Sequence, residues 1–106
     1  MEFSKQDWIL FRKKIASWQE GHMDRLNREY MDILSGEGNP SDKFWLLEKR
    51  INQDKTCRGV VIQMRKQNLA FDLAALINDG VITFSDIQEF SDELKDVVKH
   101  LCNMYL

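Results

Sequence analysis

The chain has 106 residues, of which 43% are hydrophobic and 30% are charged, and its formal net charge is -2. This length supports one ordinary domain with an apolar core. The single proline, the five glycines and the absence of low-complexity tracts argue against long disordered segments or linkers. We therefore predict one domain that spans residues 1–106.

The sequence also bears on location. The first residues, Met1 to Asp7, lack the basic start and apolar stretch of a signal peptide, and no uncharged run approaches membrane-spanning length. Two cysteines, Cys57 and Cys102, are expected to be free thiols in a reducing compartment. We predict a cytoplasmic protein without membrane insertion.

The first third of the chain has the pattern of one long amphipathic helix. Ser4 followed by Asp7 predicts a capping box at its start, and Gly21 in its middle is expected not to interrupt it. The helix should run from about Ser4 to about Leu34, which is roughly 45 Å. That is longer than a compact domain is wide, so either an elongated bundle or a second copy must cover its far end. The stripe consists of Trp8, Phe11, Ile15, Trp18, Leu26, Tyr30 and Ile33.

A glycine-rich loop, residues 35–40, should separate this helix from a second one. Gly36 is the expected stop of the first helix, and Ser41 is the expected cap of the next. Phe44, Leu47 and Ile51 mark the predicted inner face of the second helix, which should fade near residues 54–58.

The third predicted helix carries apolar residues on two sides, which is typical of a central helix. Val60, Met64 and Phe71 fall on one side, whereas Leu69, Leu73 and Leu76 fall on the other. A short strand at residues 60–62 is the alternative, although no partner strand is evident.

Residues 70–90 predict a helix, a tight corner and a second helix. Gly80 can adopt the left-handed conformation that ends a helix, and Thr83 with Asp86 forms a capping box for the next one. The last helix should run from Phe84 to about Met104, with its acids in the first half as the helix dipole favours. Its predicted inward residues are Ile87, Phe90, Leu94, Val97, Val98 and Leu101.

Catalytic and metal chemistry find little support in the pattern. His100 and Cys102 would lie about 200° apart on a helix, and His22 and Cys57 have no ligand-spaced neighbours. No phosphate-cradling glycine pattern and no calcium loop is present. We therefore predict no catalytic residues, no metal, no cofactor and no small-molecule substrate, and a chain that is not an enzyme.

The charge distribution allows a nucleic-acid-associated regulator as the alternative function. Residues 36–66 carry seven basic side chains against four acids, while residues 67–106 carry seven acids against two lysines. Pairing of these two regions within one fold or one dimer is the favoured interpretation. Against a helix-turn-helix, the helix after Gly80 is acidic and would be repelled by phosphates. The nucleic-acid-binding candidates are Lys49, Arg50, Lys55, Arg58, Arg65 and Lys66.

A protein-interaction module is the leading functional prediction. Trp45, Phe44, Trp8 and Trp18 are of the residue type that dominates protein interfaces. Trp8 and Trp18 suit a core or a self-association surface, whereas Trp45 departs from the inner face of its helix and is the better surface candidate.

Two resemblances add to this interpretation. Residues 73–87, with Leu73, Leu76, Asp79-Gly80-Val81-Ile82-Thr83, Asp86 and Ile87, resemble the G-I-I-T helical hairpin of short bacterial C-terminal oligomerisation domains. Nearly the whole chain is similar to a family of short bacterial all-helical proteins that are often labelled multidrug transporters and have no established function. The resemblance implies no functional residues, and a chain without a membrane-spanning segment would not transport alone. The motifs are Trp18-Gln19-Glu20, Gly38-Asn39-Pro40-Ser41, Lys43-Phe44-Trp45, Leu47-Glu48-Lys49-Arg50-Ile51, Ile77-Asn78-Asp79-Gly80-Val81-Ile82 and Phe90-Ser91-Asp92-Glu93-Leu94-Lys95.

These observations predict an all-α fold, a four-helix elongated bundle with a long N-terminal helix and a C-terminal helical hairpin. The predicted function is a non-catalytic small helical adaptor or regulator that acts through protein-protein contacts. Monomer and homodimer both remain open.

Overall fold

The computed structural model of the chain describes residues 4–105, with four α-helices and no strand among them. The helices are α1 (Lys5–Ser35), α2 (Pro40–Asp54), α3 (Leu69–Asn78) and α4 (Asp92–Tyr105), with short 3₁₀ turns at Lys66–Asn68 and Phe84–Ile87. This confirms the predicted all-α fold. The predicted lack of a signal peptide rests in part on residues 1–3, which lie outside the described range.

The molecule is elongated along α1. Its principal extents are 52 × 27 × 22 Å and its radius of gyration is 16.3 Å, against about 13 Å for a compact chain of this length. Helix α1 runs unbroken through Gly21 and ends at Gly36, whose N–H donates to the Asp32 carbonyl at 3.0 Å. The continuous first helix is therefore confirmed.

The capping of α1 and α2 differs in part from the prediction. Ser4 accepts the Asp7 N–H at 3.1 Å, but the Asp7 carboxylate turns to Ser91 and does not reach back to Ser4. The predicted cap at Ser41 is wrong, because Asn39 is the N-cap of α2 and Pro40 is its first residue. Proline suits the first helical position, where its fixed φ matches a helix and its missing N–H removes no bond.

The segment between α2 and α3 is irregular, so the predicted third helix is wrong over residues 60–65. No strand forms there either. Cys57 accepts the N–H groups of both Val60 and Val61 on its carbonyl, which closes a turn. The β-branched run that follows resists helix formation, because such side chains lose rotamer freedom in a helix. Ile62 packs against the core instead.

The corner after α3 has the predicted geometry. Gly80 has φ +75°, its N–H donates to the Ile77 carbonyl, and the Val81 N–H donates to the Leu76 carbonyl. These are the two bonds of a Schellman motif. The Asp86 carboxylate then accepts the Thr83 N–H at 2.8 Å.

The predicted start of the last helix at Phe84 is wrong. The chain forms one 3₁₀ turn there, breaks at residues 88–91, and resumes as α4 at Asp92. Ser91 caps α4, because its hydroxyl accepts the Leu94 N–H at 3.3 Å while donating to Asp7. The two segments still meet as a hairpin, since α3 and α4 pack closely together.

The core joins the first half of α1 to α3, the corner and α4. Phe11 and Ile15 of α1 meet apolar side chains from residues 69–102, and five of the six inward residues predicted for the last helix are buried there. Phe71 points outward and is 53% exposed, whereas six of the ten residues of α3 are buried, so α3 is exposed only along a narrow stripe. Helix α2 contributes no buried residue. The buried cluster comprises Phe11, Ile15, Leu69, Ala70, Leu73, Ala74, Leu76, Val81, Ile82, Ile87, Phe90, Leu94, Val98, Leu101 and Cys102.

Candidate functional site

The feature that stands out is the arm, which we define as residues 23–54, the second half of α1 together with α2. The two helices form an antiparallel hairpin that extends away from the core. Tyr30 of α1 donates its hydroxyl to Asp54 of α2 at 2.6 Å, and Arg50 reaches Glu29 at 3.5 Å and Asp54 at 3.6 Å. Polar contacts thus contribute to holding α2 on α1.

Tyr30 is held in its neutral form by this arrangement. Burial raises the pKa of Tyr30 to about 12, and the hydrogen bond to Asp54 and the charge of that carboxylate act in the same direction. The Arg50 guanidinium lies 5.9 Å from the centre of the Tyr30 ring, within cation-π range. The hydroxyl therefore remains a donor across the ordinary pH range.

Large apolar side chains lie exposed on α2. Phe44 is 61% exposed and Trp45 is 60% exposed, and their rings meet edge to face with centroids 4.9 Å apart. The predicted inner face is wrong for Phe44 and for Ile51, which is 41% exposed. Leu47, the third residue of that predicted face, is half-buried, and Arg50 and Asp54 are the residues of α2 that bind side chains of α1. Trp45 lies on the surface, as its position off the apolar stripe indicated.

Two grooves that share one lining residue lie on the arm. The larger has a volume of about 300 Å³ and the smaller about 240 Å³, and Ile51 lines both. The larger lies between α1, the end of α2 and Val60, and its lining is mostly apolar. The smaller runs along α2 past Phe44 and Leu47, with Glu48 and Asn52 at its edge.

The other two tryptophans belong to the interior. Trp8 and Trp18 are half-buried and pack against the core, with ring centroids 6.0 Å and 6.3 Å from that of Phe11. The structure therefore separates the four predicted interaction residues into two that support the core and two that lie exposed on the arm.

The basic candidates are dispersed and partly engaged. Arg50 pairs with acids of the arm, and Arg58 donates to the buried Asp72 at 2.8 Å. The Arg58–Asp72 pair is an ion pair between the basic middle and the acidic end of the chain, the kind of pairing that the charge pattern favoured. Among the described residues the remaining candidates make no ion pair, namely Lys49, Lys55, Arg65 and Lys66.

A cysteine and a histidine meet where the loop after α2 crosses α1, which the sequence pattern did not predict. Cys57 Sγ lies 3.9 Å from His22 Nε2 and 3.5 Å from an Asp79 oxygen. Burial raises the pKa of Cys57, although the Gly59 N–H opposes this, and burial together with Arg25 lowers the pKa of His22. The raised pKa of Cys57 disfavours the thiolate, which is the nucleophilic form of a cysteine.

Two buried carboxylates were also missed, and both hold elements together. Asp7, 3% exposed, accepts the Ser91 N–H at 2.8 Å and its hydroxyl at 2.6 Å. Asp72 is 2% exposed, and burial raises its pKa against the effect of Arg58. Asp72 lies on the buried side of α3 between Leu69 and Leu76, and that position is the one signal that marks it in the sequence.

No cluster of three or more potential metal ligands occurs in the described part of the chain. Within residues 4–105, no helix is both long and apolar enough to cross a bilayer. No protein-family model, no curated protein and no solved structure matches the chain. The resemblance to the short bacterial family therefore stays a prediction.

Proposed function

We propose that this chain is a non-catalytic helical adaptor or regulator that acts through protein contacts made by the arm. The observation that carries the proposal is that α2 buries none of its residues and exposes Phe44 and Trp45. A helix of this length gains most of its stability from packing an apolar face, and the apolar side chains of α2 that α1 leaves exposed are available to a further partner.

The residue types on the arm support this role. Tryptophan and other aromatic side chains are enriched at the energetic centres of interfaces, because they bury large areas with few rotatable bonds. Trp45 is neither part of the buried cluster nor packed against it, so its ring does not contribute to the core of this chain. The raised pKa of Cys57, which disfavours its thiolate, adds support for a non-catalytic role.

The test compares the tagged wild-type chain with Trp45→Ala in a pull-down from native lysate, with and without nuclease. Phe71→Ala is the matched control, because Phe71 is an aromatic residue with similar exposure outside the arm. We expect a stoichiometric protein that survives nuclease, is retained by Phe71→Ala and is lost by Trp45→Ala. The thermal midpoint of Trp45→Ala should stay close to that of the wild type.

Two results would contradict the proposal. A large loss of thermal stability in Trp45→Ala would assign Trp45 to the fold. Recovery that disappears with nuclease, and that falls steeply between low and moderate salt, would assign binding to the basic side chains, since phosphate contacts release counterions and aromatic contacts do not.

A further inference from the structure

Three polar side chains of α1 contact the loop after α2 and the corner after α3. Gln19, His22 and Arg25 follow one another at a spacing of three residues, so they lie along one ridge of the helix. Gln19 Nε2 donates to the Arg58 carbonyl at 3.1 Å, and Arg25 Nη2 donates to the Val81 carbonyl at 3.1 Å. We call these three residues of α1 the clasp.

His22 is the middle residue of the clasp, and its ring lies against the loop. A Cβ added to Gly59 would be 2.5 Å from His22 Cδ2 and 2.7 Å from Val81 Cγ2, so the ring and Val81 both lie against Gly59. Ring atom Nε2 faces Cys57 Sγ at 3.9 Å. The thiol donates its own hydrogen to Asp79 at 3.5 Å, so the sulfur is available to accept a hydrogen from Nε2.

The other nitrogen of the ring has no partner. His22 Nδ1 is buried, and no group within residues 4–105 forms a hydrogen bond with it. Because Nε2 carries the hydrogen of the neutral ring, a second proton must bind at Nδ1. That proton would create a buried N–H without an acceptor and a positive charge shielded from water, and both cost free energy.

The charged groups around the ring do not remove this cost. Arg25 repels a positive ring, and its hydrogen bonds to the corner keep it in place. Asp54 of α2, Asp79 of the corner and Glu29 of α1 attract a positive ring. Burial is the largest influence, and the pKa of His22 is lowered from its ordinary value of 6.5. The clasp as folded therefore favours the neutral ring.

The loop is less firmly held than the corner on the other side of the clasp. Residues 57–61 contribute no side chain to the buried cluster, whereas the corner contributes Val81 and Ile82. Val61 is 63% exposed. A segment with few buried apolar contacts opens at a lower free energy than the core does. A charge on His22 is therefore relieved most readily by movement of residues 57–61.

We propose that the clasp is an acid-sensitive latch, in which protonation of His22 at Nδ1 detaches residues 57–61 from α1 and lets water reach the ring. The closed form has its full advantage above about pH 6.5 and loses it as the pH falls below that value, because the open form binds the proton more tightly. The inference goes beyond the proposed function and does not depend on it, since the latch joins parts of one chain.

The test is backbone hydrogen exchange of the purified chain, followed by NMR between about pH 7 and about pH 5. The Val60 and Val61 N–H groups both donate to the Cys57 carbonyl, so their protection factors report whether the loop is closed. These factors should fall on acidification by at most about 25-fold, which is the limit for an open form with the ordinary histidine pKa. They should also stay below those of the α3 amides, because the loop opens by itself.

The two histidines of the chain provide matched variants. His22→Gln removes the proton-binding site, so the protection factors of Val60 and Val61 should then change by less than about twofold over the same range. His100→Gln removes an exposed histidine of α4 and should show the full fall of the wild type.

Three results would overturn the inference. A fall in protection that persists in His22→Gln would assign the acid sensitivity to Asp72, because burial raises the pKa of Asp72 and this carboxylate binds Arg58 in the same loop. Equal protection of the Val60 and α3 amides would show that the loop opens only when the whole chain unfolds. An NMR titration of the wild-type imidazole at or above pH 6.5 would also refute the latch, even if His22→Gln does not fold.

Discussion

Replacing Gly59 by alanine should destabilise the chain. An ideal Cβ at this position would lie 2.5 Å from His22 Cδ2 and 2.7 Å from Val81 Cγ2, closer than real Cβ atoms approach other atoms. Val81 has little freedom to move, because it is buried and its N–H is bound to Leu76 in the corner. The backbone at Gly59 or the His22 ring must therefore shift.

The expected cost follows from overpacking. Forcing one extra methyl into a packed site costs typically 1–3 kcal/mol. For a domain near 100 residues, about 2 kcal/mol lowers the thermal midpoint by roughly 8–16 °C. Gly21→Ala is the matched control, because Gly21 lies exposed in the middle of α1 with Arg25 Nη1 3.9 Å away as its nearest neighbour. That substitution should raise the free energy of unfolding by about 1 kcal/mol through helix propensity.

Thermal and urea unfolding monitored by circular dichroism would measure both variants, and His22→Ala would identify the atoms responsible. Gly59→Ala should cost less in the His22→Ala background, because two of its three close contacts are then removed. If Gly59→Ala is as stable as the wild type, or if its cost is unchanged without the His22 ring, the steric reasoning is refuted.

Two further predictions concern polar contacts. Asp7→Ala should lower the free energy of unfolding by about 2–4 kcal/mol in urea titrations, because it leaves the Ser91 N–H and hydroxyl without their partner at a buried site. Asp7→Asn should cost less, since an asparagine side chain can bind both groups. Equal costs for the two variants would argue against hydrogen bonding as the cause. The pKa of Tyr30 is raised above its ordinary value of 10.0 to about 12, so its contribution to stability should be complete below pH 10 and lost as pH rises through about 12. The advantage of the wild type over Tyr30→Phe should therefore shrink between pH 10 and 12, and a constant difference across that range would contradict the assignment.

Sequence patterns predicted the structure correctly where residues close together in the chain determine it. The periodicity of α1 is set by residues within it, and the corner at Gly80 depends on one backbone conformation and two short-range bonds. The inward residues of the last helix were identified even though its start was wrong, because spacing survives a short interruption. Ser91 caps α4 while it is bound to Asp7, which lies 84 residues earlier in the chain, and no local pattern indicates that partner.

Apolar spacing gave a wrong prediction where it implied that a helix face packs against another helix of the same chain and the fold leaves that face exposed. Phe44 and Ile51 have the spacing of an inner face, yet spacing states only which side of a helix is apolar. Whether that side meets the same chain depends on the path of residues 55–68, of which the sequence indicated the part from residue 60 onward to be helical. The meeting of His22 and Cys57 arises from that same path, so it could not be predicted either.

The core has a consequence for the order in which the chain is made. Phe11 and Ile15 of α1 are buried against residues 69–102, and Asp7 of α1 binds Ser91, which is made much later. A ribosome that has released only the first 60 residues thus presents a helix α1 whose first half, with Phe11 and Ile15, has no packing partner. The nascent chain must remain soluble until α4 emerges, so early termination within α4 would yield a fragment with its aromatic stripe uncovered, which is a substrate for chaperones and proteases.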